Sequence, residues 1–191
     1  MRQIDQELRS FVRQFNDLMA PHKRREHKYD SMFDFLEKEG RVYDATPYTP
    51  EEEEMILEAF ETIGRTPEIK QCYYNSQSLA LSDALGYAEG YIATGRIPVP
   101  LEHSWNTLPS GKAVDVTIRP MGEGNTCKPK KLLERAKRNQ RENAYLGVEF
   151  PSELIRKTWA RTHQARMLLG ENEVLEQIFE RGYPKSWRSP S

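Results

Sequence analysis

The spacing of apolar residues predicts that the chain begins with helices. Apolar residues recur at three- and four-residue intervals at Ile4, Leu8, Phe11, Val12, Phe15, Leu18 and Met19. This spacing predicts an amphipathic helix over about residues 2–19. A polar, basic connector is predicted at 21–30, and a short apolar group at 32–36 predicts a second helix that ends at Gly40.

The residues from Thr49 onward predict the start of a helix. Thr49 can cap a helix, Pro50 suits the first helical position, and Glu52 completes a capping box. Apolar residues continue at helical spacing as far as Gly64, where the helix is predicted to end. The glutamates at 51–54 favour the positive end of the helix dipole, so we interpret them as a solvated helix start rather than a metal site.

The pattern changes after Pro67 and becomes mixed. Runs rich in β-branched and aromatic residues predict strands at 87–93, 98–108, 112–118 and 145–150. Helical patterns are predicted at 72–85, at 128–143 and from 152 onward, with a break at Gly170 and a frayed tail at 181–191. Helices, then a short antiparallel sheet, then helices indicate an α+β fold. We expect a helical N-terminal extension at 1–64, a core at 65–151, and C-terminal helices with a tail at 152–191 packed on the same domain.

Composition narrows the class of protein. The chain has 191 residues, of which 37% are hydrophobic and 30% charged, which suits one modest core with a well-solvated surface. The net charge of -1 argues against the overall positive field typical of nucleic-acid binders. No apolar run approaches the roughly 18 residues of a membrane helix, and the N-terminus lacks the apolar region of a signal peptide. We therefore expect a soluble, cytoplasmic protein without a membrane partner.

Cys72 is the strongest candidate for chemistry. The only two cysteines, Cys72 and Cys127, make no disulfide framework, so in a reducing compartment both are free thiols. Cys72 falls in the first turn of a predicted helix, where free backbone N–H groups and the helix dipole stabilise a thiolate. Thiol chemistry also needs a base and a group that orients the base. His103 and Asp115, in consecutive predicted strands, are the candidates.

The turn between those two strands predicts that His103 and Asp115 meet. The loop from Leu108 to Lys112 fits a three-residue hairpin connection with Gly111 in the left-handed position. This loop pairs Leu108 with Lys112. In that register, His103 and Asp115 are diagonal neighbours on one face of the hairpin, with their backbones roughly 7–8 Å apart. A two-residue loop would place them on opposite faces.

Over residues 65–120, the ordered set resembles the core of the papain-like/transglutaminase-like cysteine enzymes. A cysteine at a helix start is followed by His103-Ser104-Trp105, similar to that family's His-Ala-Trp-like element, and by an aspartate strand around Asp115. The resemblance implies a Cys72–His103–Asp115 triad, a short antiparallel sheet packed on the cysteine-bearing helix, no cofactor, and a protein or peptide amide as substrate. The expected reaction is acyl transfer or hydrolysis, as in a cysteine protease, deamidase or transglutaminase.

Other residues around this set have open roles. The glutamine that papain-like enzymes often carry several residues before the cysteine is missing, so Gln71, Tyr73 and Asn75 are candidate oxyanion donors. Trp105 is either a core aromatic or a shield for the His–Asp pair, and Glu89 either lies in the sheet or lines a substrate groove.

The alternative function is a non-catalytic binding module of the same fold. Residues 128–141 are strongly basic and could contact a protein or a nucleic acid, although no interleaved aromatics support single-strand binding. Cys127 has no base near it in sequence and is interpreted as incidental. No metal site is expected, because His22, His27, His103 and His163 show no ligand spacing.

Overall fold

The computed structural model describes residues 1–19, 27–120 and 122–187. Within these residues the helices are α1 Gln3–Met19, α2 Met32–Glu39, α3 Pro50–Ile63, α4 Cys72–Ala80, α5 Pro129–Glu142, α6 Ser152–Thr162 and α7 Asn172–Glu176. The strands are β1 Arg41–Val42, β2 Gly86–Thr94, β3 Ile97–Thr107, β4 Ala113–Val114 and β5 Asn143–Phe150. The strands form one sheet of order β1-β5-β2-β3-β4, in which every pairing is antiparallel. The predicted combination of helices with an antiparallel sheet is confirmed. Parts of the predicted connector, of the predicted tail, and His22 lie outside the described residues.

The helix signals in the first half of the chain are confirmed. Thr49 caps α3 in a complete capping box with Glu52, and Gly64 ends the helix in the left-handed conformation at φ 57°. Gly40 follows the last residue of α2, which Ser31 caps by accepting the Asp34 N–H. These signals work because they satisfy backbone groups that a helix end leaves unpaired.

The β3–β4 hairpin has the predicted register. Thr107 pairs with Ala113 and Asn106 with Val114. The loop closes through the Leu108 N–H, which donates to the Lys112 carbonyl at 3.0 Å. Gly111 takes the left-handed position, with φ 84°, which a residue with a Cβ adopts only at a cost.

Two predicted elements are shorter than expected. The predicted strand 112–118 is paired only at β4, so Asp115 lies just beyond the strand. Side chains replace the sheet there: Asn139 donates to the Asp115 and Ile118 carbonyls, and Arg135 donates to the Val116 carbonyl. A backbone whose polar groups are satisfied this way needs no strand partner.

The helix predicted at 72–85 ends at Ala80. The chain turns at Asp83, whose φ is 59°. Its carboxylate accepts hydrogen bonds from Ser152 and Arg156 at the start of α6. This contact with another helix favours the turn over a continued α4.

The sheet is buried on both faces. One face carries Tyr87, Tyr91, Leu146, Val148 and Phe150 against α1, α2 and the C-terminal helices. The opposite face carries Ala88, Ile92, Trp105 and Tyr145. A further cluster joins α3 and α5 beside the hairpin. Strand β1 brings residues from the first 64 into the same sheet.

The described helices include none that combines the length and the apolar character needed to cross a bilayer.

Candidate active site

Cys72 is the first residue of α4, which packs along the edge of β3. Two contacts fix this packing: the hydroxyls of Ser76 and Ser104 lie 2.8 Å apart, and Asn106 Nδ2 donates to the Ser76 carbonyl at 2.8 Å. All three side chains are buried. They hold the start of α4, and with it Cys72, beside His103 and Ser104.

His103 and Asp115 form a buried pair. His103 Nε2 lies 3.0 Å from Asp115 Oδ2, and both side chains are almost fully enclosed. Asp115 also accepts the Thr117 N–H at 2.8 Å and the Tyr145 hydroxyl at 3.1 Å. These contacts fix the position of the Asp115 carboxylate, which in turn fixes the orientation of the His103 imidazole.

Cys72 is the second titratable neighbour of the His103 imidazole. Cys72 lies near enough to His103 for the imidazole to hold the pKa of the thiol down, and for the thiol to help raise the pKa of His103. The imidazole is therefore coupled to both the carboxylate and the thiol. This is the nucleophile, base and orienting group that thiol catalysis needs.

The three groups shift one another toward an ion pair. Burial by itself would raise the pKa of the Cys72 thiol, but the hydrogen bond and charge of His103 hold it below its ordinary value. Burial would lower the pKa of His103, yet the charge and hydrogen bond of Asp115 raise it to about 10. The pKa of Asp115 is lowered against the effect of burial, chiefly by the charge of His103. Each shift favours the charged form of its group, so the surroundings favour a thiolate beside an imidazolium.

The shortness of β4 leaves the edge of β3 open at Ser104. The Ser104 backbone N–H and hydroxyl both interact with the Cys72 sulfur and help to lower the pKa of its thiol. In a longer hairpin, β4 would take that N–H for the sheet. The same feature that moved Asp115 out of the strand thus frees a donor for the sulfur.

Trp105 is completely buried against the pair. Its ring stacks on His103 with centroids 6.4 Å apart and an interplanar angle of 20°, and it also contacts Tyr43 and Tyr145. Gly147 makes room for the indole, because a Cβ there would lie 2.7 Å from Trp105 Cη2. The position fits both proposed roles, a core aromatic and a cover that keeps water from the imidazole.

Two of the candidates around Cys72 remain available for a substrate. Gln71 is exposed and makes no cap hydrogen bond to α4. Tyr73 is half-buried, and burial raises the pKa of its hydroxyl, with further contributions from Glu89 and Cys72. Gln71 and Tyr73 directly flank Cys72 in the sequence.

Asn75 and Glu89 have structural contacts instead, which corrects the roles considered from sequence. The Asn75 amide group donates to the Glu68 carbonyl and to Thr117, so it has no hydrogen left for an oxyanion. Glu89 is fully buried and lines no groove. It accepts the N–H groups of Leu168 and Leu169, which attaches the C-terminal segment to the sheet, and burial raises its pKa to about 7.

The sequence reasoning missed Ser104 and Tyr145. Ser104 was present only as the middle residue of the His-x-Trp element. Tyr145 lies on β5, far from Asp115 in sequence, and only the strand order brings them together. Alternation in β5 could have placed Tyr145 on the Trp105 face, but no local signal pairs it with Asp115.

The basic helix is partly neutralised within the fold. Arg135 and Arg138 pair with Glu123, and Lys137 with Glu53. Lys128, Lys130, Lys131 and Arg141 stay exposed. Cys127 is an exposed free thiol.

Across residues 1–19, 27–120 and 122–187, no three His, Cys, Asp or Glu side chains cluster as a metal site would require. A surface groove of about 540 Å³ opens beside Gln71, with Tyr74, Trp159 and His163 among its lining residues. Its lining includes Gln71, the residue that precedes α4.

No protein-family model matches the chain, and neither the curated proteins nor the solved structures contain a significant match.

Proposed function

We propose that the protein is a cysteine enzyme that transfers or hydrolyses acyl groups at amides, with a papain-like/transglutaminase-like core. The observation that carries this proposal is the buried His103–Asp115 pair at 3.0 Å, with the Cys72 thiol near enough to the imidazole for each to shift the pKa of the other. A buried carboxylate and imidazole are costly to enclose unless they are paired. A thiol near this pair, at the start of a helix, gives the pair a chemical use.

The proposed reaction runs in two steps. The Cys72 thiolate attacks an amide carbonyl, a sulfur–carbon bond forms, and the amine leaves with the proton that the His103 imidazolium donates. Neutral His103 then takes a proton from water or an acceptor amine, which attacks the thioester carbonyl and releases Cys72 as a thiolate. Asp115 orients the imidazole through Nε2 and stabilises the imidazolium.

The oxyanion needs donors at the start of α4. The Cys72 backbone N–H is one candidate, since the first N–H groups of a helix have no partner within the helix. The Gln71 amide and the Tyr73 hydroxyl are the two candidates for the second donor.

The substrate is proposed to be a protein or peptide amide that lies across the exposed edge of β3. Pro98 and Pro100 on this edge have no N–H to offer. A substrate strand therefore cannot pair along the whole edge. We expect side-chain contacts, such as those with Val99 and Leu101, which are 55% and 38% exposed, to select the substrate.

The test is selective alkylation. Iodoacetamide is added at about pH 6, where an ordinary thiol with a pKa of about 8.5 is almost entirely protonated. We expect Cys72 to react at least about tenfold faster than Cys127, because only the thiolate is nucleophilic. Mass spectrometry of the two cysteine peptides measures both rates in one sample, so exposed Cys127 is the internal control.

Substitutions then separate chemistry from folding, with circular dichroism as the check. Cys72→Ser should abolish turnover of a generic amide or thioester, and His103→Ala should come close to it, since it removes base and acid. Asp115→Asn should cost less, because nucleophile and base remain. If Cys72 alkylates no faster than Cys127 and Cys72→Ser leaves every activity unchanged, the enzyme proposal fails. Loss of partner binding on substitution of Lys130 and Lys131 would then favour the binding module.

A further inference from the structure

Three arginines gather around one carboxylate on the inner side of α5. Arg135 Nε lies 2.7 Å from Glu123 Oε1, and Arg138 Nη1 lies 2.9 Å from Glu123 Oε2. Arg119 approaches the same segment, since its Nη1 donates to Asn125 Oδ1 at 2.5 Å, two residues after Glu123, and burial and then the charge of Arg135 lower its pKa. Three positive charges thus face a single negative one, and the excess positive charge is unbalanced within the cluster.

Arg138 keeps an unused binding edge. Its Nε and Nη2 atoms are both buried and have no hydrogen-bond partner among the described residues. These two N–H groups lie side by side on one edge of the guanidinium, the geometry that binds two oxygens of a carboxylate or phosphate. Buried donors without a partner are costly, so the fork is suited to an acceptor that comes from outside the chain.

Arg119 and Arg135 complete the surroundings. The Nε of Arg119 is also buried without a partner in the described part of the chain. Arg135 is 1% exposed and is fixed by the carbonyls of Val116 and Gly124, so it supplies a positive charge that cannot move away. A fixed charge with two open donor sets nearby is a preorganised arrangement for an anion.

We propose that Arg119, Arg135 and Arg138 form a binding site for a small oxyanion, either inorganic phosphate or the phosphate group of a small metabolite. The buried position of the open donors favours a small group over the backbone of a nucleic acid, which needs charges spread over an exposed face. The proposal does not depend on the thiol chemistry of Cys72.

The test compares phosphate with chloride at equal ionic strength by thermal unfolding. We expect phosphate to raise the Tm of the wild-type protein above its value in chloride, since a ligand that binds only the folded state stabilises it. Arg138→Gln should need at least about tenfold more phosphate for the same rise, because two charge-assisted hydrogen bonds are lost. Lys130→Gln is the matched control, with the same charge change at an exposed position of α5.

Arg138→Gln also removes the ion pair to Glu123, so Arg119→Gln serves as a second variant if the first fails to fold. The proposal is overturned if phosphate acts no better than chloride on the wild type. It is also overturned if Lys130→Gln weakens the phosphate effect as much as the arginine variants do. Binding of a short oligonucleotide that needs Arg138, without any effect of phosphate, would replace it with a nucleic-acid contact.

Discussion

Ser104 has one hydroxyl hydrogen and two neighbours that can accept it. Ser76 donates its own hydrogen to the Cys72 carbonyl at 2.7 Å, so in the 2.8 Å pair of hydroxyls Ser104 is the donor. The same hydroxyl also interacts with the Cys72 sulfur and lowers the pKa of the thiol. Ser104 can therefore turn from Ser76 to the sulfur when the thiolate forms.

Replacement of this hydroxyl should make the thiol less acidic. We expect Ser104→Ala to raise the pKa of Cys72 by about one unit, since a hydrogen bond to a charged group contributes roughly 1.5–3 kcal/mol, part of which the backbone N–H retains. The alkylation rate of Cys72 against pH measures this shift.

Ser78→Ala is the control for that shift. Ser78 lies on the same helix, and its buried hydroxyl has no hydrogen-bond partner within the described residues. Its removal should leave the pH profile of alkylation unchanged. Identical profiles for Ser104→Ala and the wild type would show that the hydroxyl does not act on the sulfur.

At the scale of the elements, the sequence predicted the structure correctly where the residues that determine it are close together in the chain. The capping box of α3, the end of α2 at Gly40 and the hairpin loop all involve residues within a few positions of each other, and all were predictable. The hairpin register in turn was enough to bring His103 and Asp115 together. The end of α4 and the shortness of β4 depend on Arg156 and Asn139, which approach from distant helices, so the sequence alone could not indicate them.

The same distinction between local and distant partners explains why two candidate site residues have structural contacts that the sequence did not indicate. Asn75 and Glu89 looked available because no sequence pattern indicates the partners that they share with distant segments. Their partners, Thr117 and the Leu168–Leu169 backbone, arrive only in the folded chain. A polar side chain on a buried element finds whichever partner the tertiary structure supplies.

The close pairing of β2 with β5 depends on glycine. Gly90 and Gly147 are paired across the two strands. A Cβ at Gly147 would lie 2.1 Å from the Glu89 carbonyl oxygen and 2.7 Å from the Trp105 ring. Both contacts are too close, and the backbone atom cannot easily move.

We therefore expect Gly147→Ala to lower the free energy of unfolding by at least about 1–3 kcal/mol, the usual cost of overpacking a core. It should also slow turnover in the molecules that remain folded, because Trp105 is pressed against His103. Urea denaturation measures the first effect. Gly95→Ala is the control, since no atom lies within 4 Å of its added Cβ; equal loss in both variants would contradict the packing argument.

In the whole molecule, the candidate site is continuous with the core. The sheet that carries His103 takes β1 from the first 64 residues, and Glu89 attaches the segment after α6 to the same sheet. The buried pair therefore contributes to the stability of the fold as well as to the chemistry proposed for Cys72. Its contribution depends on pH, because its pKa values differ between the folded and unfolded states.

The sign of this dependence follows from the two shifts. His103 has a folded pKa of about 10 against an ordinary 6.5, so its contribution is complete below about pH 6.5 and is lost as pH rises toward 10. The pKa of Asp115 is lowered from 3.8, so its contribution is present above that value and is lost as pH falls below it. We expect the pair to stabilise the fold most between about pH 4 and 6.5.

The measurement compares Cys72→Ser with Cys72→Ser/His103→Gln, since the serine removes the titration of the thiol from both proteins. The difference between their free energies of unfolding should be largest near pH 5 to 6 and should shrink steadily above about pH 6.5. His163→Gln in the same background replaces an exposed histidine at the end of α6 and serves as the control substitution. A difference for His103→Gln that stays constant from pH 6 to 10 would mean that the imidazole is not held charged by Asp115. The ion-pair mechanism for Cys72 would then lose its base.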